Sequence, residues 1–153
     1  MSECKNCLQQ ISEYLDGQMD PELKNRLEEH LIFCHSCKVV LDTNALLMPF
    51  EFSLNLEAEL LSLLGNCEIL VPGPVVGELR RSKSKHARAA LELSRRYSVA
   101  ETAKQGDDGV VDVALRHGAI VLTNDAELRR RLRKIGIRTI YLRSRTHLVL
   151  DED

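Results

Sequence analysis

Four acidic residues, Asp42, Glu78, Asp107 and Asp125, stand where the chain passes from apolar or small residues into polar ones. Asp42 closes Val39-Val40-Leu41, Glu78 follows Val75-Val76-Gly77, Asp107 follows Gly106, and Asp125 ends Val121-Leu122-Thr123-Asn124. Carboxylates packed together repel, and one of them must then hold a proton. A divalent cation removes that penalty, and hard oxygen donors suit Mg²⁺ or Mn²⁺. Such an ion lowers the pKa of a bound water and neutralises charge on a phosphoryl group in transfer. Asp42 is the leading ligand candidate, followed by Asp125 and Asp107. Glu78 is placed to ligate, or to accept the proton of an attacking water. Asn44 and Thr123 are candidates for orienting the ligands or touching a phosphate, with Asp108 in support. Each acid also has a plainer reading. Asp107 and Asp125 suit the N-cap of a following helix, and Glu78 alone would be a solvated helix residue. The argument rests on the four together.

A second set of chemistry-bearing residues lies near the N-terminus. His30 and Cys34 are four apart, hence on one helical face, and Cys37 follows in the next turn. With Cys4 or Cys7 as the fourth donor, these would make a closed tetrahedral structural zinc site. The set Cys4, Cys7, Cys34 and Cys37, with His30 as a bystander, is the alternative. Cys67 precedes an apolar run and reads as a core residue.

The elements that would position these groups fall into two segments. Residues 1–37 give two amphipathic helices, the second opened by Asp20-Pro21-Glu22, which supplies an N-cap, a proline at the first helical position and an early acid. Two helices of this size bury too little to fold unaided, and a metal would supply the difference. From Lys38 the pattern alternates. Strands are expected at 39–41, 68–71, 98–101, 119–122 and 139–142, and helices at 54–64, 75–81, 86–96, 107–117 and 126–135. Continuously apolar strands separated by helices imply an α/β fold, a three-layer parallel sheet covered on both faces. In such a sheet ligands bind beyond the carboxyl ends of the strands, where the four acids fall. Residues 147–153 read as an appendage.

Four stretches in order resemble the PIN domain: Val39-Val40-Leu41-Asp42-Thr43-Asn44, Val75-Val76-Gly77-Glu78-Leu79, Gly106-Asp107-Asp108 and Val121-Leu122-Thr123-Asn124-Asp125. Leu46-Leu47-Met48-Pro49-Phe50 and Ile140-Tyr141-Leu142-Arg143 resemble the archaeal-type branch related to rRNA-processing endonucleases. The resemblance implies a metal-dependent endoribonuclease, a toxin-like or RNA-processing enzyme, with Asp42, Glu78, Asp107 and Asp125 as its acids. It favours Asp107 over Asp108, and it implies RNA as substrate, an antitoxin or other protein as partner, and homodimerisation. Cys4 to Cys37 resembles the zinc-finger module of anti-sigma factors through Cys4, Tyr14-Leu15-Asp16-Gly17, Asp20-Pro21-Glu22 and His30-x-x-x-Cys34-x-x-Cys37. Counted from the tyrosine, that resemblance selects Cys4, His30, Cys34 and Cys37. It also implies a runner-up function, a non-catalytic regulator binding a sigma factor. Such a regulator usually needs a further helix to clamp its target, and the strand expected directly after Cys37 weakens that reading.

Charge is uneven along the chain. Residues 1–37 carry seven acids and three bases, and residues 38–153 carry sixteen acids and eighteen bases. With the four site acids and Asp108 set aside, the second segment is distinctly basic, as a nucleic-acid surface should be. Arg80, Arg81, Lys83 and Lys85 are the candidate RNA-binding residues. A second run, Arg129 to Lys134, reads equally well as a solvated helix face. With three Phe, three Tyr and no Trp, base stacking is not a major source of affinity. No apolar run approaches the roughly 18 residues that span a bilayer, and no signal core follows Met1, so a cytoplasmic protein with reduced cysteines is expected.

Overall fold

Val39, Val40 and Leu41 are fully buried, although successive residues of a strand point to opposite faces. A strand buried on both faces must lie inside a sheet covered by helices on both sides. The computed structural model, which describes residues 37–151 together with Pro21 and Glu22, bears this out. The chain divides between Cys37 and Lys38, and the second unit is a mixed α/β fold. Its strands are β1 (Lys38–Leu41), β2 (Glu68–Pro72), β3 (Ser98–Ala100), β4 (Ile120–Leu122), β5 (Thr139–Arg143) and β6 (His147–Asp151). Its helices are α1 (Thr43–Glu51), α2 (Leu56–Leu64), α3 (Gly73–Arg81), α4 (Ala87–Ser94), α5 (Gly106–His117) and α6 (Ala126–Lys134).

The strands lie in the order β3-β2-β1-β4-β5-β6. β1 is central, pairing parallel with β2 through Val39↔Ile69 and with β4 through Val40↔Val121. β3 and β5 extend the parallel sheet outward. The carboxyl ends of β1 to β5 therefore share one edge, and the turns leaving that edge carry residues 42, 73, 101, 123 and 144.

Two elements differ from the sequence reading. Residues 147–151 are no appendage: β6 pairs antiparallel with β5 over five residue pairs and buries Leu148. The hairpin turns through Ser144 and Arg145, both left-handed, with φ of 56° and 61°. Neither residue type signals such a turn, which Gly or Asn would. α1 was also not foreseen. Pro49 lies inside it, where a proline removes a helical amide and ordinarily argues against a helix. The helix forms because Asp42 caps its start, while Ala45, Leu46 and Met48 are buried in the core.

α5 approaches its neighbours unusually closely. A Cβ on Gly109 would lie 2.9 Å from the Lys104 carbonyl oxygen and 3.2 Å from the Pro74 ring. Glycine thus lets the first turn of α5, which carries Asp107, settle against the 102–104 loop. Gly109→Ala is expected to cost about 1–3 kcal/mol through overpacking, despite alanine's better helix propensity. Urea unfolding measures this, and an unchanged midpoint would mean the loop yields freely.

Candidate active site

The turn after β1 does two jobs with adjacent residues. Asp42 is only 6% exposed and caps α1 through Oδ1, which accepts from the Ala45 amide at 2.8 Å. Its Oδ2 accepts from the Thr123 hydroxyl, which comes from the turn after β4. Next to it, Thr43 donates its hydroxyl to Glu78 Oε2 at 2.5 Å, tying the start of α1 to α3. Thr123 is itself fixed. Its amide donates to the Ile140 carbonyl of β5 at 3.0 Å, and its hydroxyl accepts from the Asp125 amide at 3.1 Å. With that amide as donor, the hydroxyl proton is left to point at Asp42.

Asp125 caps α6. Its Oδ1 accepts from the Glu127 and Leu128 amides at 2.9 and 3.1 Å, and no donor among the described residues occupies its Oδ2. Capping and ligation are therefore not alternatives here, because one carboxylate oxygen can do each. Asp107 is not a cap. Gln105 takes that position, and Asp107 lies in the first turn of α5, where the helix dipole favours an anion. Asp108 projects to solvent and pairs with Arg131 of α6 at 2.6 Å. Asn44 is exposed in the first turn of α1. Asn124 accepts from the Leu142 amide at 2.7 Å, which pins the 123–125 turn to β5.

The four acids share one electrostatic field. Burial, offset in part by its two hydrogen bonds and reinforced by the charges of Asp107 and Asp125, pushes the Asp42 carboxyl up to about 7. Asp107 is also raised, first by partial desolvation and then by Asp125 and Glu78, with Arg131 opposing. Every charge named as raising these two carboxyls is another carboxylate. Among the described residues, however, no three His, Cys, Asp or Glu side chains are drawn into a closed ligand group. The acids act on one another through charge and not as a closed group, and the Thr123 and Thr43 hydroxyls hold Asp42 and Glu78 respectively. Thr43 and Asn124 had no role in the sequence reading. The only cue for either was its place beside an acid after an apolar strand.

The basic residues are placed unevenly. Arg80 and Arg81 line a cleft of about 460 Å³ together with Pro74, Val76 and Val99, at the same edge of the sheet. Gly77 leaves room for the Arg81 guanidinium, which would stand 3.3 Å from a Cβ there. Lys83 and Lys85 are exposed in the following loop. The second basic run is largely engaged within the fold. Arg129 lies 4.3 Å over the Tyr141 ring, Arg131 pairs with Asp108, and Arg133 pairs with Asp151 at 2.5 Å.

Of the zinc candidates, Cys4, Cys7, His30 and Cys34 lie outside the described residues. Cys37 is half-buried immediately before β1, and Cys67 is half-buried against the core, which raises its thiol pKa.

The sign of the Asp42 shift makes a prediction. Folded, this group keeps its proton up to about pH 7, whereas unfolded it loses it near 3.8. Its contribution to stability is thus complete below the unfolded value and is lost as pH rises through about 7. Without added metal, the protein is expected to melt at a lower temperature at pH 8 than at pH 5, with Asp42→Asn flattening that slope. An equally steep slope in the variant would place the titration on another group.

Comparison with known proteins agrees with this architecture. Residues 39–145 match the family described as "PIN like domain", and residues 4–38 match the one described as "Putative zinc-finger". The chain is 34% identical over 114 residues to Ribonuclease VapC9 of Archaeoglobus fulgidus, covering 70% of this chain and 83% of that protein. It is 30% identical over 144 residues to rRNA-processing protein FCF1 of Saccharomyces cerevisiae, covering 84% and 76% respectively. The structure of the PIN domain endonuclease Utp24 superposes with a TM-score of 0.67 at 24% identity, over 76% of this chain and 92% of that one. That last likeness concerns the fold alone.

Proposed function

Because this chain belongs to the PIN-like domain family, we propose that its acidic edge hydrolyses phosphodiester bonds of RNA, as a toxin-like or RNA-processing endoribonuclease that depends on Mg²⁺ or Mn²⁺. The observation carrying this reading is the placement of four acids at the carboxyl edge of the sheet, Asp42 and Asp125 on the turns after β1 and β4 and Glu78 and Asp107 on the helices after β2 and β3. They are close enough that Asp107 and Asp125 raise the Asp42 carboxyl and Glu78 raises that of Asp107. Donors that are all carboxylate oxygens fit a hard divalent cation, and Asp42, Asp107 and Asp125 are the residues that would hold it. When bound, such a cation neutralises the field of the acids and polarises the phosphate and the attacking water.

The chain's own residues supply the rest. The Thr123 hydroxyl and the Ala45 amide fix the Asp42 carboxylate in one orientation. Thr43 holds Glu78 by one oxygen, leaving the other to accept a proton from water as that water's oxygen bonds to phosphorus and the P–O bond to the leaving nucleotide breaks. Arg80, Arg81, Lys83 and Lys85 hold flanking phosphates, which positions the strand but does not read its bases. Asn44, exposed two residues after Asp42, is a further phosphate contact.

The test is cleavage of a labelled single-stranded RNA by the full chain with Mn²⁺, after brief EDTA treatment, and after Mn²⁺ is restored without zinc. Asp42→Asn is expected to lower the rate on the order of a hundredfold or more, the scale of a several-kcal/mol loss of charge stabilisation. Cutting that survives both EDTA and the substitution would sink the metal-dependent reading.

The match over residues 4–38 supports a structural Zn²⁺ held by Cys4, His30, Cys34 and Cys37, with Cys7 as the alternative to Cys4. Protein grown with zinc is expected to carry about one equivalent per chain, and Cys34→Ser to lose most of it. Atomic emission on both proteins decides the matter, and a zinc-free wild type would end the proposal.

A further inference from the structure

The β5–β6 hairpin carries charge that neither the core nor the acidic site uses. β5 runs parallel to β1 and β4, so its carboxyl end lies at the same edge as Asp42 and Asp125. The turn there, Arg143-Ser144-Arg145-Thr146-His147, is exposed at every residue. It is closed by the Thr146 amide on the Arg143 carbonyl at 3.2 Å. Its base is anchored on both sides, by the Leu142 amide on Asn124 at 2.7 Å and by the Leu148 amide on Glu59 of α2 at 3.3 Å. Arg143 and Arg145 face no carboxylate among the described residues, unlike Arg131 and Arg133 of α6. Arg145 also holds a left-handed backbone, φ 61°, that Gly would adopt without strain. An arginine kept at such a position, unneutralised and on a rigid hairpin, points to an anionic ligand.

The arrangement across the edge identifies that ligand. Arg80 and Arg81 sit on the β2–β3 flank with Glu78, Asp42 and Asp125 on the turns after the central β1 and β4, and the hairpin on the β5–β6 flank. From β4 to β5 or β6 is one or two strand spacings, about 5–10 Å. We propose that the β5–β6 hairpin is a second phosphate anchor. A single RNA strand crosses the sheet edge with its scissile phosphate over the acids and flanking phosphates held by Arg80 and Arg81 on one side and by Arg143 and Arg145 on the other. Ser144 and Thr146 add hydroxyl donors to the second anchor. The inference rests on the ribonuclease reading for its ligand, but its test is separate.

The test measures binding of a fluorescein-labelled single-stranded RNA of about 12 nucleotides to the full chain carrying Asp42→Asn, across a salt series. Adding Arg143→Gln and Arg145→Gln is expected to weaken binding about tenfold or more at low salt. It should also flatten the log Kd against log salt slope by about 1.4, the value for two lost single-strand phosphate contacts. A control with Arg95→Gln and Arg138→Gln removes the same charge from the opposite edge, just ahead of β3 and β5, and should change little. Arg145→Gly separates structure from binding, because it should melt no lower than the parent and still bind RNA more weakly. The proposal is overturned if the hairpin variants bind like the parent, if the control loses as much, or if the parent binds no RNA. Cleavage by wild type with an inert hairpin would remove only this anchor. Hairpin-dependent binding by a protein that never cuts would remove only the nuclease.

Discussion

A carboxylate withdrawn from water at the end of the central strand sets the terms for the rest of this fold. Asp42 is nearly buried, and two fixed donors offset part of the cost of charging it. One is an amide of α1, so the helix must begin directly after the strand, with Asp42 as its cap. The other is Thr123, so β4 must lie beside β1 and end level with it. The Thr123 amide then bonds to β5, and Asn124 takes a β5 amide of its own. One costly charge therefore constrains the start of α1, the register of β1 with β4, and the turn that delivers Asp125. The donors lessen the penalty but do not remove it, which is why the carboxyl still stands near 7. A nearby positive charge would offset the deficit that remains.

The same logic accounts for the threonines. Thr43 holds Glu78 by one oxygen and leaves the other to a ligand or a proton, whereas Thr123 and the Ala45 amide take one oxygen each of Asp42. Asp125 divides its two oxygens as Glu78 does, using backbone amides in place of a hydroxyl. Three acids are thus oriented by the parts that also begin helices or join them. A change that loosens those joints would disturb chemistry and packing together, which is a reason to separate the two by measuring both.

Positive charge is sorted by what each arginine faces. On α6, the densest basic run in the chain, Arg131 and Arg133 meet Asp108 and Asp151, and Arg129 covers Tyr141. These pairs are partly exposed and contribute little apiece to stability, but they leave less charge for a ligand. Arg80 and Arg81, by contrast, border a cleft at the site edge, and the hairpin arginines stand clear of any described carboxylate. Counting bases along the sequence cannot make this distinction, because neutralisation depends on acids from distant elements.

The sequence by itself determined the alternation of apolar strands and capped helices, and with it the parallel α/β sheet, its carboxyl edge and the order of four acids along that edge. Those features are local: each needs only the residue types within a few positions, through burial, periodicity and capping. It did not disclose α1, because Pro49 speaks locally against a helix that buried Ala45, Leu46 and Met48 nonetheless impose. Nor did it disclose β6, whose turn is held by pairing along the whole of β5 and not by a turn residue. Thr123 is marked by the sequence as a residue that orients a ligand, but which acid it holds, the roles of Thr43 and Asn124, and the repulsion that raises Asp42 and Asp107 belong to the tertiary structure alone. Each arises between groups 18 or more residues apart, brought together by strand order, and a Coulomb or hydrogen-bond energy depends on a distance that no single stretch of chain contains.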